Sequence, residues 1–215
     1  MVQVRVYAFD IDGTLTPIRS SWWYAKLVLG LEYRSKNYAS YFLNGLISYD
    51  EWVNLELRLF KGLRTEVFKA VLNTIPWRHG IDKLVQFRRS RPNDFFIAVT
   101  GGFGFLGDRA VKELGFNAYV GVELEVLDGR LAGLSRCYPD FHGKGVALLD
   151  YLDANGIDFD KLICVGNDVN DIDMFRKCDI SIAFCPSNHI KRDDVDIYIS
   201  SCNIEKLVDM LYTIA

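Results

Sequence analysis

After Pro76 the chain settles into a repeat of short β-rich runs and stretches whose apolar residues recur at helical spacing. Strands are predicted at 95–100, 118–126, 130–134, 162–166, 180–184 and 196–200, with another at 4–9. Helices are predicted at 81–89, from the glycine-rich loop after residue 100 to about 115, at 145–154 and at 204–212. Asp128-Gly129 lies between two of the strands and is a hairpin signal. Strands alternating with helices predict an α/β fold, with a Rossmann-like, mostly parallel sheet covered on both faces.

The stretch from Pro17 to Ile75 breaks the rhythm. It is helical in pattern and enriched in aromatic residues, with apolar periodicity over 22–31 and 49–60. Asp50 is the predicted cap of the second segment and Gly62 its end. The chain therefore divides into a core (1–16 and 76–215) and a small helical insertion (17–75) after the first strand. Most of the insertion's aromatics are expected to fill its own core, with a few facing the rest of the protein.

Composition narrows the function. With 25 Lys+Arg against 28 Asp+Glu the net charge is −3, which offers no basic field for nucleic acid. No apolar stretch approaches the ~20 residues that span a bilayer, and an acidic residue at position 10 interrupts any signal-peptide pattern. The five cysteines are odd in number and form no Cys-x-x-Cys pair, so reduced thiols, Cys164 and Cys185 among them, and a cytoplasmic location are expected. The histidines, His79, His142 and His189, show no metal-ligand spacing.

Ligands of open α/β sheets bind beyond the C-terminal strand ends. There the sequence places Asp10 and Asp12 after the first strand, Thr100-Gly101-Gly102 after the second, and Gly166-Asn167-Asp168-Val169-Asn170-Asp171 after a later one. Lys144 opens the helix before that last strand. Clustered carboxylates need a cation, and hard oxygen donors suit Mg²⁺. A hydroxyl, backbone amides and an ammonium suit a phosphoryl group. A carboxylate can attack phosphorus, and a second one two residues on can protonate the leaving group and then activate water.

These segments, Phe9-Asp10-Ile11-Asp12-Gly13-Thr14, Val99-Thr100-Gly101-Gly102, Gly143-Lys144-Gly145 and Gly166-Asn167-Asp168-Val169-Asn170-Asp171, carry a resemblance. In order and spacing the chain resembles the haloacid dehalogenase superfamily, in its phosphoserine-phosphatase-like branch with a small helical cap. The resemblance implies a Mg²⁺-dependent phosphomonoester hydrolase acting through an aspartyl-phosphate on a small phosphorylated metabolite. It implies Asp10 as nucleophile and Asp12 as general acid/base. Thr100, Gly101, Gly102, Lys144 and Asn170 would bind the phosphoryl group, with Asp10, Asp12, Asn167 and Asp171 around the metal. Arg19, Trp22, Trp23, Tyr49 and Glu56 are the candidate cap residues near the substrate.

The chain departs from the pattern at three positions. Asn167 stands where the family usually has a metal-binding aspartate, which predicts weaker metal affinity. Arg19 and Glu56 stand where phosphoserine-specific members carry an acid and an arginine, so phosphoserine is expected to be a poor substrate. Two alternatives stay open: an inactive relative serving as a binding protein, and a phosphotransferase using the same intermediate. Gly102-Phe103-Gly104-Phe105-Leu106-Gly107 also satisfies a dinucleotide fingerprint, with Glu123 about 20 residues on, but that reading leaves Asp10, Asp12, Lys144 and Asp171 without a role.

Overall fold

The computed structural model describes residues 4–137, 139 and 143–214; His142 lies outside them. Strands β1 (Arg5–Phe9), β2 (Phe95–Phe103), β3 (Ala118–Leu127), β4 (Arg130–Cys137), β5 (Lys161–Gly166), β6 (Ile180–Phe184) and β7 (Ile197–Ile199) form one sheet in the order β4-β3-β2-β1-β5-β6-β7. Every neighbouring pair is parallel except β3 and β4, which are antiparallel. Asp128 and Gly129, both at positive φ, make the turn between those two, as their sequence predicts.

The period-2 alternation of β1 builds the two cores. Tyr7 and Phe9 point to one face, where Leu84 and Phe87 of α5 (Ile81–Arg89) and Leu207 and Leu211 of α9 (Ile204–Ile214) cover them. Val6 and Ala8 point to the other, covered by Leu148 and Leu152 of α7 (Lys144–Ala154) and by Met174 and Phe175 of α8 (Ile172–Phe175). With β2 on one side and β5 on the other, β1 is where the winding of the sheet reverses, so a crevice opens at its C-terminal end.

Between β1 and β2 the chain forms α1 (Ser21–Val28), α2 (Tyr38–Leu43), α3 (Tyr49–Leu59) and α4 (Thr65–Asn73). The cap of α3 is not Asp50 but Ser48, in a reciprocal box with Glu51. Nor do the aromatics make a closed core of their own. Phe60 and Phe68 join the sheet's own cluster through Phe103, with ring centroids 5.7 and 4.9 Å from it. Trp23, Tyr33 and Tyr41 are exposed. The segment after α3 is also fastened to the hairpin: Gly62 donates to the Leu131 carbonyl and Leu131 to the Leu63 carbonyl.

The glycines of the dinucleotide-like stretch have packing reasons. In α6 (Gly104–Arg109), a Cβ on Gly107 would lie 2.5 Å from the Tyr119 ring, and one on Gly104 would collide with the Glu123 carboxylate. They let α6 lie against β3. No helix among the described residues is long and apolar enough to cross a membrane.

A further expectation is overturned. Cys185 and Cys202 form a disulfide, while Cys164 and Cys178 are free. The bridge ties the end of β6 to the approach of α9, 17 residues on. Spacing does not reveal it, because the two meet only after the chain has returned through β7 beside β6.

Two outcomes follow from the packing. Gly107→Ala destabilises the fold by about 1–3 kcal/mol, measured by urea unfolding, because overpacking against Tyr119 outweighs the helix-propensity gain. Peptide mapping without reductant recovers a Cys185–Cys202 cross-linked pair with Cys164 and Cys178 alkylated. Reduction lowers stability by about 3 kcal/mol, the loop-closure value for a span of this size.

Candidate active site

The site starts where β1 ends. The Asp10 amide still donates to the Val165 carbonyl (2.8 Å), so the strand ladder carries Asp10 into the crevice. The chain then turns tightly through Ile11–Leu15, with Gly13 at φ +83°, a conformation that favours glycine. A Cβ on Gly13 would also strike the Asn167 side chain. Arg78 secures the turn from outside: its guanidinium donates to the Gly13 carbonyl (2.6 Å) and the Thr14 carbonyl (2.8 Å). Asp12 is held from the opposite direction. Its Oδ2 accepts from the backbone amide (2.7 Å) and the hydroxyl (2.6 Å) of Ser21, the first residue of α1.

Beneath Asp10 lies Lys144, wholly buried at the start of α7. Its ammonium donates to Asp10 Oδ1 (2.7 Å) and to Asp171 Oδ1 (2.5 Å). Asp171 Oδ2 in turn accepts the amides of Asn167 (2.6 Å) and Asp168 (3.0 Å). Both Asp171 oxygens are thus taken up in shaping the loop after β5. Burial alone would lower the Lys144 pKa, but the two carboxylates outweigh it and raise it, so Lys144 is an ammonium. Burial pushes the Asp10 carboxyl up to about 8 against the pull of Lys144, with Asp171 and Asp12 adding to the rise. One ammonium shared between Asp10 and Asp171, with Asp12 near by, leaves ionised Asp10 short of positive charge.

That shortage is the fit test for a cation. Asp10 Oδ2 is buried with no hydrogen-bond partner. Among the described residues no three His, Cys, Asp or Glu side chains gather as a metal cage. The donors at hand are the Asp10 carboxylate, the buried Asn167 amide and backbone carbonyls of the turn. An all-oxygen set with few charged members suits Mg²⁺, which keeps several of its waters.

Opposite Asp12 runs the end of β2. The Gly102 amide donates to Thr100 Oγ1 (2.9 Å), and a Cβ on Gly102 would lie 2.7 Å from Asp12 Oδ2 and 2.5 Å from Ser21 Oγ. Only a bare backbone passes there. The resulting cleft, about 300 Å³, is lined by Asp10, Asp12, Gly101, Gly102, Asn167 and Asn170, and also by Arg19 and Trp22. Thr100, Lys144 and Asp171 stand buried behind it.

A sequence model of the haloacid dehalogenase-like hydrolases matches residues 7–176. The chain belongs to this family. The hydrolase is 30% identical over 172 residues to a phosphoserine phosphatase of Streptococcus thermophilus, covering 79% of this chain and 78% of that one. It is 29% identical over 209 residues to one of Archaeoglobus fulgidus, covering 96% of this chain but only 60% of that longer one. A solved structure described as a phospho-aspartyl intermediate analogue of phosphoserine phosphatase shares the fold at a TM-score of 0.79 and 23% identity, covering 97% of this chain and 99% of that one.

The cap candidates divide. Arg19 and Trp22 reach the cleft; Arg19 donates to the Cys185 carbonyl (3.4 Å) and Trp22 Nε1 to the Gly101 carbonyl (2.9 Å). Trp23, Tyr49 and Glu56 line a neighbouring cavity instead. Glu56 is neither exposed nor paired with Arg19. It is buried against Lys26 of α1, which donates to both of its oxygens (2.8 and 2.7 Å). Sequence reasoning missed Ser21, Arg78 and Trp52. A Ser-Ser pair before an apolar-periodic run is an N-cap signal that points to the first; nothing local marks the other two.

Lys144→Met leaves two buried carboxylates facing each other without a cation. A loss of about 3–5 kcal/mol in urea unfolding is expected, and adding Asp171→Asn to that variant recovers part of it.

Proposed function

We propose that this hydrolase is a phosphomonoesterase in which Asp10 is transiently phosphorylated. The observation that carries the reading is Asp10 itself. It is buried at a strand end, with one oxygen on Lys144 and the other unpartnered, while Ser21 fixes Asp12 beside the same cleft.

Asp10 attacks phosphorus, and the bond from phosphorus to the ester oxygen breaks. The leaving oxygen keeps the electron pair and takes a proton from Asp12 at Oδ1, the oxygen that Ser21 does not hold. In the second half Asp12, now a carboxylate, removes a proton from water as the water oxygen attacks phosphorus. The bond to Asp10 breaks, and phosphate and the original Asp10 carboxylate are released. The Thr100 hydroxyl, the amides of Gly101 and Gly102, Asn170 and the Lys144 charge steady the phosphoryl oxygens. Asp10, Asn167 and the Asp12 carbonyl would hold Mg²⁺, with Asp171 shaping the loop that presents Asn167; the bound ion supplies positive charge to the phosphoryl group. Residues 17–75 serve as the cap that excludes water from the cleft.

The relatives' name suggests phosphoserine, but Arg19 argues for a different small phosphate ester. Its guanidinium lines the cleft, where the ammonium of phosphoserine meets a like charge. The pairing of Glu56 with Lys26 removes the second charge conflict that the sequence suggested.

The test is phosphate release from 4-nitrophenyl phosphate with and without Mg²⁺. Activity is expected only with metal, and Asp10→Asn reduces it by about 10³-fold or more, as loss of a nucleophile does. Metal-independent release, or an Asp10→Asn variant that keeps its activity, overturns the reading. Asn167→Asp adds a formal charge and lowers the Mg²⁺ concentration for half-maximal activity by about tenfold.

A further inference from the structure

The cleft has a larger neighbour, a cavity of about 520 Å³ against about 300 Å³. It lies between α1, α3 and the turn Glu32–Arg34. The two spaces have Ser20, Trp22 and Trp52 as a common wall. The polar edge of each shared indole is already occupied: Trp22 donates to Gly101, and Trp52 Nε1 donates to Glu56 Oε1 (3.3 Å). What these rings offer a ligand is their apolar surface, continued by Trp23, Tyr49 and Val53.

The charges of the cavity are unevenly committed. Lys26 and Glu56 are buried and satisfy each other. Lys36 is exposed, so water screens it. Glu32 differs. Its Oε2 is buried, yet it has no hydrogen-bond partner among the described residues. A buried carboxylate oxygen left in that state is costly, and a donor from a ligand would relieve the cost. Indole faces beside it also favour a cation.

We propose that this cavity is the leaving-group subsite. The alcohol it selects has an apolar, ring-bearing body and, at the end remote from the phosphate, an amine that pairs with Glu32. The proposal rests on the phosphomonoesterase reading, since it places the phosphate in the cleft and runs the ester past Trp22 and Trp52. A cavity of this volume falls within the ~300–1,000 Å³ of sites that enclose drug-sized ligands. The side chain of serine leaves most of it empty.

The experiment compares two esters that differ only in the amine, 4-(2-aminoethyl)phenyl phosphate and 4-ethylphenyl phosphate. Wild-type kcat/KM is expected to favour the amine by about tenfold or more, the scale of one hydrogen bond to a charged group, and Glu32→Gln to bring the ratio within about threefold of one. A parallel titration follows tryptophan fluorescence, excited where tyrosine does not absorb, with the phosphate-free alcohol tyramine. Saturable quenching is expected, with a dissociation constant raised about fivefold or more in Glu32→Gln. If neither ester is hydrolysed but tyramine quenches in a Glu32-dependent way, the phosphatase reading fails and the leaving-group role with it, while the cavity stands as a binding site for the amine-bearing alcohol. If both esters are hydrolysed at a ratio near one, or tyramine gives no Glu32-dependent quenching, the subsite is overturned and the phosphatase reading stands on its own test.

Discussion

The Lys144 ammonium, closed off from solvent between Asp10 and Asp171, is the contact on which the site depends. Three chain segments meet there: the end of β1, the start of α7, 134 residues on, and the loop after β5, a further 27 residues on. Each is fixed by the others. Remove the cation, and two carboxylates confront each other in a low-dielectric pocket. Keep it, and Asp171 has its second oxygen available to gather the amides of Asn167 and Asp168, which sets the far wall of the cleft. The negative charge that Lys144 leaves uncompensated is what makes the pocket suited to a further cation.

A second set of contacts makes the insertion part of the site rather than an appendage. Ser21 reaches down to Asp12, Trp22 bonds the Gly101 carbonyl, and Phe60 and Phe68 pack on Phe103. Cleft and outer cavity therefore share walls, and Ser21, which holds Asp12, stands next to Trp22, which lines both spaces.

Much of this was legible in the chain. Residues such as Asp10 and Asn167 follow apolar strands directly, and a strand end is a place that sequence can name. Asp128-Gly129 made its hairpin because local backbone preference suffices there. What failed was whatever needs two distant segments. Cys185 and Cys202 look like unpaired thiols until β7 brings them together. Glu56 looks like a substrate contact until Lys26, on another helix, closes on it. The cap of α3 was misplaced by two residues, because Asp50 and Ser48 are both good caps and only the geometry of the preceding loop selects between them.

The sequence by itself determined the α/β architecture through its periodicity, and the family through the order and spacing of its motifs. Both are read along the chain without knowing which segments meet. Tertiary structure alone decided which charges are neutralised, which cysteines are joined and which aromatic faces remain open to a ligand. The physical reason is that an ionised or aromatic side chain acts according to what lies within a few ångströms, and for Lys26, Glu32, Glu56 and Trp52 those neighbours come from other turns and helices.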